Sequence, residues 1–281
     1  MEKIKKFFDN TFVSIVLTIV LYVVLATVFS MMTSIISVFV TNDGAVPASN
    51  LFNAIIMFVD TAIPAVLTVV ILKLIYKDTY TVGVTTKGFG ESLKMNTLVI
   101  VIAIMGVFIN MYQGMQMVTE PEAVLTSFVH SFRPGVYEEM LYRAALCGLM
   151  MRKGKKTPAG IVTAVAVSAL AFGLTHIINI RVSGGITPAL IWQIVSATGG
   201  GAMFAAAYVR SKNLLGGVVS HTMIDLSNYL FIDLATVLTN ELTLIDTVFN
   251  TFITVSCFVV AIWLLRPAKL KETVKKWNVE A

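Results

Sequence analysis

The chain has 281 residues, is 57% hydrophobic and only 13% charged, and has a mean hydropathy of +0.83. A soluble domain of this size carries about a quarter charged residues, so the composition excludes a water-solvated globule and makes the bilayer the solvent. The net charge of +5 sits in short basic clusters beside apolar runs, which is the pattern of membrane topology, and nucleic acid is not expected as a partner.

In chain order, MEKIKK leads into an apolar run from about Thr11 to Val40 that has no small-residue cleavage site, so an uncleaved helix is expected. A spanning helix needs about 20 mostly apolar residues. Eight stretches qualify: 11–40, 51–76, 95–112, 135–151, 158–180, 187–209, 214–238 and 244–265. The segment before the fourth, PEAVLTSFVHSFRP (121–134), is semi-apolar and reads as an extra turn or a re-entrant piece, with Pro134 marking a helix start.

The loops give an independent check. Of 21 Lys and Arg, 18 fall in the N-terminus, the C-terminus, or the regions around 73–94, 152–156 and 210–212. These are alternate connections, so eight helices with both termini cytoplasmic is the expected topology. The expected fold is therefore all-α: one polytopic helical bundle, with residues 1–281 forming a single integral membrane domain, in the plasma membrane if the source is bacterial. Cys147 and Cys257 lie in separate apolar segments and read as packing residues. Ala197, Gly201 and Ala205 recur at four-residue spacing and predict the close approach of another helix.

Charges inside the spans are few: Asp60, Glu138, Glu139, Arg143, His176, His221, Asp225 and Asp233. Each costs roughly 2.5–3.5 kcal/mol at a helix centre, so partners in the bundle interior are expected. Glu139 and Arg143 are four apart and can pair. Glu138, turned about 100° from Glu139, is free to face another helix. Phe172 and His176 share a face, so the ring can wall the imidazole, and His221 and Asp225 share a face, so the carboxylate can orient the imidazole. Asp60, near Pro64, is expected to satisfy backbone freed by a kink; Asp233 is expected near the outer end of its span, and His130 at the interface.

A surplus carboxylate beside an imidazole can activate water, with a second imidazole stabilising the oxyanion. That is peptide-bond hydrolysis in a pocket within the membrane. A zinc ion on Glu138, His176 and His221 would be the metal alternative, and the absence of an HExxH sequence makes it the weaker one. No cofactor is expected.

The ordered motifs EExxxR (Glu138, Glu139, Arg143), FxxxH (Phe172, His176) and HxxxD (His221, Asp225) resemble those of the CPBP family. These are intramembrane proteases related to the type II CAAX prenyl endopeptidase and to Abi and bacteriocin-immunity proteins. The resemblance covers roughly 134–240. It implies a glutamate-type endopeptidase in which Glu138 and His176 activate water, Glu139 and Arg143 hold the helices, and His221 and Asp225 form the oxyanion side. The family's third motif often ends in Asn, so Asp225 is better assigned to orienting His221. The implied substrate is a membrane-anchored or lipidated peptide or protein. Two alternatives come from other classes: a non-hydrolytic immunity or scaffold protein of the same fold, and a proton-coupled transporter, which would show inverted halves that are not evident here. Rise along the helices places Glu138, His176 and His221 at roughly 20, 27 and 13 Å from the cytoplasmic helix ends, a mismatch that requires tilt, a broken helix or shifted boundaries.

Overall fold

A computed structural model describes residues 10–41, 49–77, 80–153, 156–231 and 243–278. Every regular element among them is helical. They are α1 (Thr11–Val40), α2 (Asn50–Tyr76), α3 (Phe89–Met95), α4 (Thr97–Tyr112), α5 (Pro121–Glu138), a π-helical stretch (Glu139–Cys147) and α6 (Gly148–Lys153). Next come α7 (Pro158–Thr175), a 3₁₀ turn (His176–Asn179), α8 (Ile180–Ser183), α9 (Pro188–Ser211), α10 (Leu215–Tyr229), α11 (Leu244–Leu264) and α12 (Pro267–Asn278).

The helix starts obey local chemistry. Asn10, Ser49, Thr157, Thr187 and Thr243 each accept a hydrogen bond from a first-turn backbone N–H, and Thr243 with Asp246 forms a reciprocal capping box. Pro121, Pro158 and Pro188 open their helices, where a missing N–H costs nothing.

Among the described residues five helices are long and apolar enough to cross a membrane: α1, α2, α7 with its continuation to Ser183, α9 and α11. The pair α3–α4, bent by 55° at Asn96, makes a sixth if counted as one span. The described residues do not confirm the expected count of eight. The stretch 135–151 is the second half of a longer helical run from Pro121 to Lys153, whose buried charges keep it from being an independent apolar span. Pro134 therefore lies inside a helix and does not begin one. Within the seventh stretch the described residues hold α10, whose 15 residues span about 22 Å. Residues 232–242, with Asp233, lie outside the described residues, as do the two chain ends.

The bundle is organised around α9, which packs against α7 on one side and α11 on the other. Helix α5 lies between α2 and α10, α4 backs α10, and α1 joins only at the edge, mainly against α2. The π-helical stretch sits where α2, α5, α7 and α9 converge. Wider i→i+5 turns disturb the usual pairing of carbonyls, and two hydroxyls from other elements donate into this stretch. Ser168 Oγ bonds Tyr142 O at 2.8 Å, and the buried Tyr80 phenol bonds Ala144 O at 2.6 Å.

Helix α1 turns small polar residues inward. Ser14, Thr18 and Thr33 are buried, whereas Ile19, Val23, Ile35 and Phe39 face outward. Ser14 Oγ accepts from Tyr76 Oη at 3.0 Å, and Thr33 Oγ1 donates to Asp60 Oδ1 at 2.6 Å. Asp60 thus ties α2 to α1; a freed backbone group near Pro64 is not its partner. At the other end α12 is fastened to the end of α9: Trp277 Nε1 donates to Val209 O at 2.7 Å and Lys276 Nζ to Arg210 O at 2.8 Å.

Candidate functional site

The two adjacent glutamates have different surroundings. Glu139 is 1% exposed and lies 3.1 Å from Arg143 Nη1, the i, i+4 pair expected from spacing. Arg143 is wholly buried, with Nη2 3.5 Å from Gly201 O and its guanidinium 4.4 Å above the Phe172 ring and 5.3 Å from that of Phe204. A charge at this depth is held by one carboxylate and two aromatic faces. Two glycines make the approach possible. A Cβ on Gly217 would come within 2.9 Å of Glu139 Oε2, and one on Gly201 within 2.8 Å of Phe172 Cδ1. The small-residue stripe of α9 is thus a contact surface for α7.

Glu138, at the junction of α5 and the π-helical stretch, keeps a side chain that is 11% exposed. Its Oε1 accepts from Tyr137 Oη at 2.7 Å, and its Oε2 lies 3.4 Å from His221 Nε2. His221 is therefore the hub. Nδ1 meets Glu139 Oε1 at 3.1 Å, Nε2 faces Glu138, and Asp225 Oδ2 is farther from the same nitrogen at 3.8 Å. The ring stacks on Phe204 at 5.3 Å and meets the edge of Phe172 at 5.8 Å. The i, i+4 pair His221–Asp225 is thus looser than expected, and the glutamates are the nearer partners.

His176 is placed differently. It begins the 3₁₀ turn after α7, its Nδ1 lies 2.9 Å from Phe172 O, and its ring is edge-on to Phe172 at 5.0 Å. The wall expected from FxxxH is present. No hydrogen bond or ion pair joins His176 to Glu138 among the described residues; the Phe172 ring, by contrast, touches both histidines. A backbone carbonyl at Nδ1 makes that nitrogen the donor and leaves the lone pair on Nε2.

No trio of His, Cys, Asp or Glu among the described residues is arranged to hold a metal ion. Both His221 nitrogens are directed to carboxylates and His176 lies apart, so the Glu138, His176 and His221 set does not fit a zinc ion. Cys147 is buried in the core among packing residues. His130 stacks on Tyr229 at 5.7 Å.

Sequence reasoning missed Tyr137, the nearest donor to Glu138, and Phe204, the ring under His221. Tyr137 stands next to Glu138 in sequence, and Phe204 adjoins the small-residue stripe of α9, so both signals were present but unremarkable. Tyr142 was missed as well; its hydroxyl donates to Thr175 Oγ1 at 2.8 Å, tying the π-helical stretch to the end of α7.

A multi-pass helical membrane protein with a buried cluster of carboxylates, imidazole and guanidinium is the class this arrangement defines. Residues 120–227 match the family model described as Type II CAAX prenyl endopeptidase Rce1-like, and all three motifs fall inside that segment. Over that segment, which is less than half of its length, the chain is similar to the CAAX-type prenyl endopeptidases. No curated protein and no solved structure matches it.

Proposed function

We propose that this protein is a glutamate-type intramembrane endopeptidase. The observation that carries the reading is the division of labour between the paired glutamates. Glu139 is sealed between Arg143 and His221, whereas Glu138 is 11% exposed at its side chain. A carboxylate that only balanced charge would have no reason to keep more exposure than its neighbour.

In this reading a water molecule sits against Glu138 and His176 Nε2. Glu138 takes the proton as the water oxygen bonds to the scissile carbonyl carbon. The carbonyl π electrons move to oxygen, and positive charge on the His221 side faces the oxyanion. A ring that donates from both nitrogens, as the contacts of His221 invite, is an imidazolium. Collapse breaks the C–N bond, and the proton held by Glu138 goes to the departing amine. Asp225 orients His221; Arg143 fixes Glu139 and, through it, the same ring. The substrate is a membrane-associated or lipidated peptide or protein, as expected for this family.

The test is terminal-peptide mass spectrometry on membranes holding equal amounts of wild type or Glu138→Ala, with chelator-treated wild type alongside. Termini that appear only with wild type and persist under chelator are the expected result. Identical sets of termini from correctly inserted protein would overturn the reading in favour of a non-hydrolytic scaffold.

A further inference from the structure

One cation near the site has no role in the mechanism. Arg133 lies on α5, four residues before Tyr137 and on the same face, one turn from the phenol that holds Glu138. It is within electrostatic range of Tyr22 on α1, His130 and Tyr137 on α5, and Asp225 on α10. Asp225 is within electrostatic reach of Arg133, but the cationic partner at ion-pair distance is His221, at 3.8 Å.

Among the described residues no hydrogen bond and no ion pair reaches Arg133, and its Nε is buried without a partner. From Pro121 to Arg133 is twelve residues, about 18 Å of helix rise. The guanidinium therefore lies well beyond the first turns of α5, out of easy reach of a lipid headgroup at that end. The side chain is half-buried and its unpaired Nε is the buried donor, which is costly; the planar fork beyond it is best satisfied by a carboxylate. Glu138, Glu139 and Asp225 would repel a second anion elsewhere in the pocket, and Arg143 is closed off behind Glu139. Arg143 and His221 are each held by a glutamate, and Arg133 is the cation near the cluster without an ion-pair partner among the described residues.

We infer that Arg133 binds a carboxylate carried by the substrate, one helical turn from the Tyr137 phenol that holds Glu138, and so sets which peptides are accepted and how they are seated. The carboxylate is either a chain terminus or an acidic side chain beside the cleaved bond. Calling its bearer a substrate rests on the protease reading; the anion site itself does not.

The experiment uses the full chain carrying Glu138→Gln, in lipid nanodiscs, so that no probe is consumed. Three fluorescent probes are compared: an N-palmitoyl apolar tetrapeptide as the free acid, the same peptide as its amide, and an amide with one internal glutamate. At least one anionic probe should bind roughly tenfold or more tightly than the neutral amide, a modest return for a paired, charge-assisted contact. The acid and the glutamate arms separate the two sources. Arg133→Gln in the same background should abolish the preference, Arg133→Lys should restore part of it, and Arg181→Gln should leave it intact. Equal binding of all three probes, or a preference that survives in Arg133→Gln, overturns the proposal. If the preference holds while wild type and Glu138→Ala produce identical termini in membranes, the hydrolytic reading fails and the anion site stands.

Discussion

Glu139 and His221 are 82 residues apart in the chain and meet at 3.1 Å inside the bundle. This contact joins the π-helical stretch to α10 and links two motifs that in sequence look independent. Its loss should be felt as instability as well as inactivity. Glu139→Gln leaves Arg143 buried beside a neutral amide, and breaking a buried pair in this way costs about 3–5 kcal/mol. Thermal unfolding in detergent should show a clear drop in midpoint, whereas Glu138→Gln should unfold within a degree or two of wild type while losing cleavage.

Tyr137 donates to Glu138 Oε1 at 2.7 Å and leaves Oε2 toward His221. Removing that hydroxyl frees the carboxylate to turn. A hydrogen bond to a charged group contributes about 1.5–3 kcal/mol, so Tyr137→Phe should slow turnover by roughly tenfold or more. The effect should fall on kcat with KM little changed, measured on whichever substrate the terminal-peptide experiment yields. A change confined to KM would assign Tyr137 to substrate contact instead.

Gly217 leaves room for the glutamate opposite it. A Cβ there would stand 2.9 Å from Glu139 Oε2, a carboxylate already fixed by Arg143 and His221. Gly217→Ala should therefore displace Glu139, and His221 with it. A misplacement of about 1 Å in such a constellation can cost about a hundredfold in rate. Gly200, where a Cβ would meet nothing within 4 Å, is the control: Gly200→Ala should cleave at the wild-type rate.

The docking of α12 can be read by proteolysis. Trp277 is 5% exposed and donates to Val209 O at 2.7 Å, and Lys276 donates to Arg210 O at 2.8 Å. Trp277→Ala removes a buried aromatic ring, a loss of about 3–5 kcal/mol by the usual measure. Trypsin should then cut at Lys269 and Lys271 far faster than in wild type, with the remaining bundle intact on gels.

Much of the site was legible because helical spacing is a strong rule. Glu139 with Arg143, and Phe172 with His176, lie where i, i+4 arithmetic puts them. What spacing could not supply was the choice of partners between helices. Glu138 meets His221 at 3.4 Å and makes no such contact with His176, and nothing in EMLYRAALC announces the i→i+5 turns that open there. The depth count from helix ends set Glu138 and His221 apart by assuming straight, parallel helices of one constant rise. The two touch, in a place where nine residues do not keep that geometry. The number of spans is less legible for a related reason: an apolar run of about 20 residues does not reveal whether lipid or protein surrounds it.

Helix α1 has protein on one side and lipid on the other. Its hydroxyls at Ser14 and Thr33 are bonded inward, while Val23, Ile35 and Phe39 face the hydrocarbon. Tolerance to mutation should then be inverted relative to a helix in water. The outward positions accept any oily side chain, since lipid has no shape to match, and the small polar residues carry the information. In a library of α1 variants, exchanges among Val, Ile, Leu and Phe should vanish into the background, and the depleted positions should trace a thin line of serines and threonines down one side.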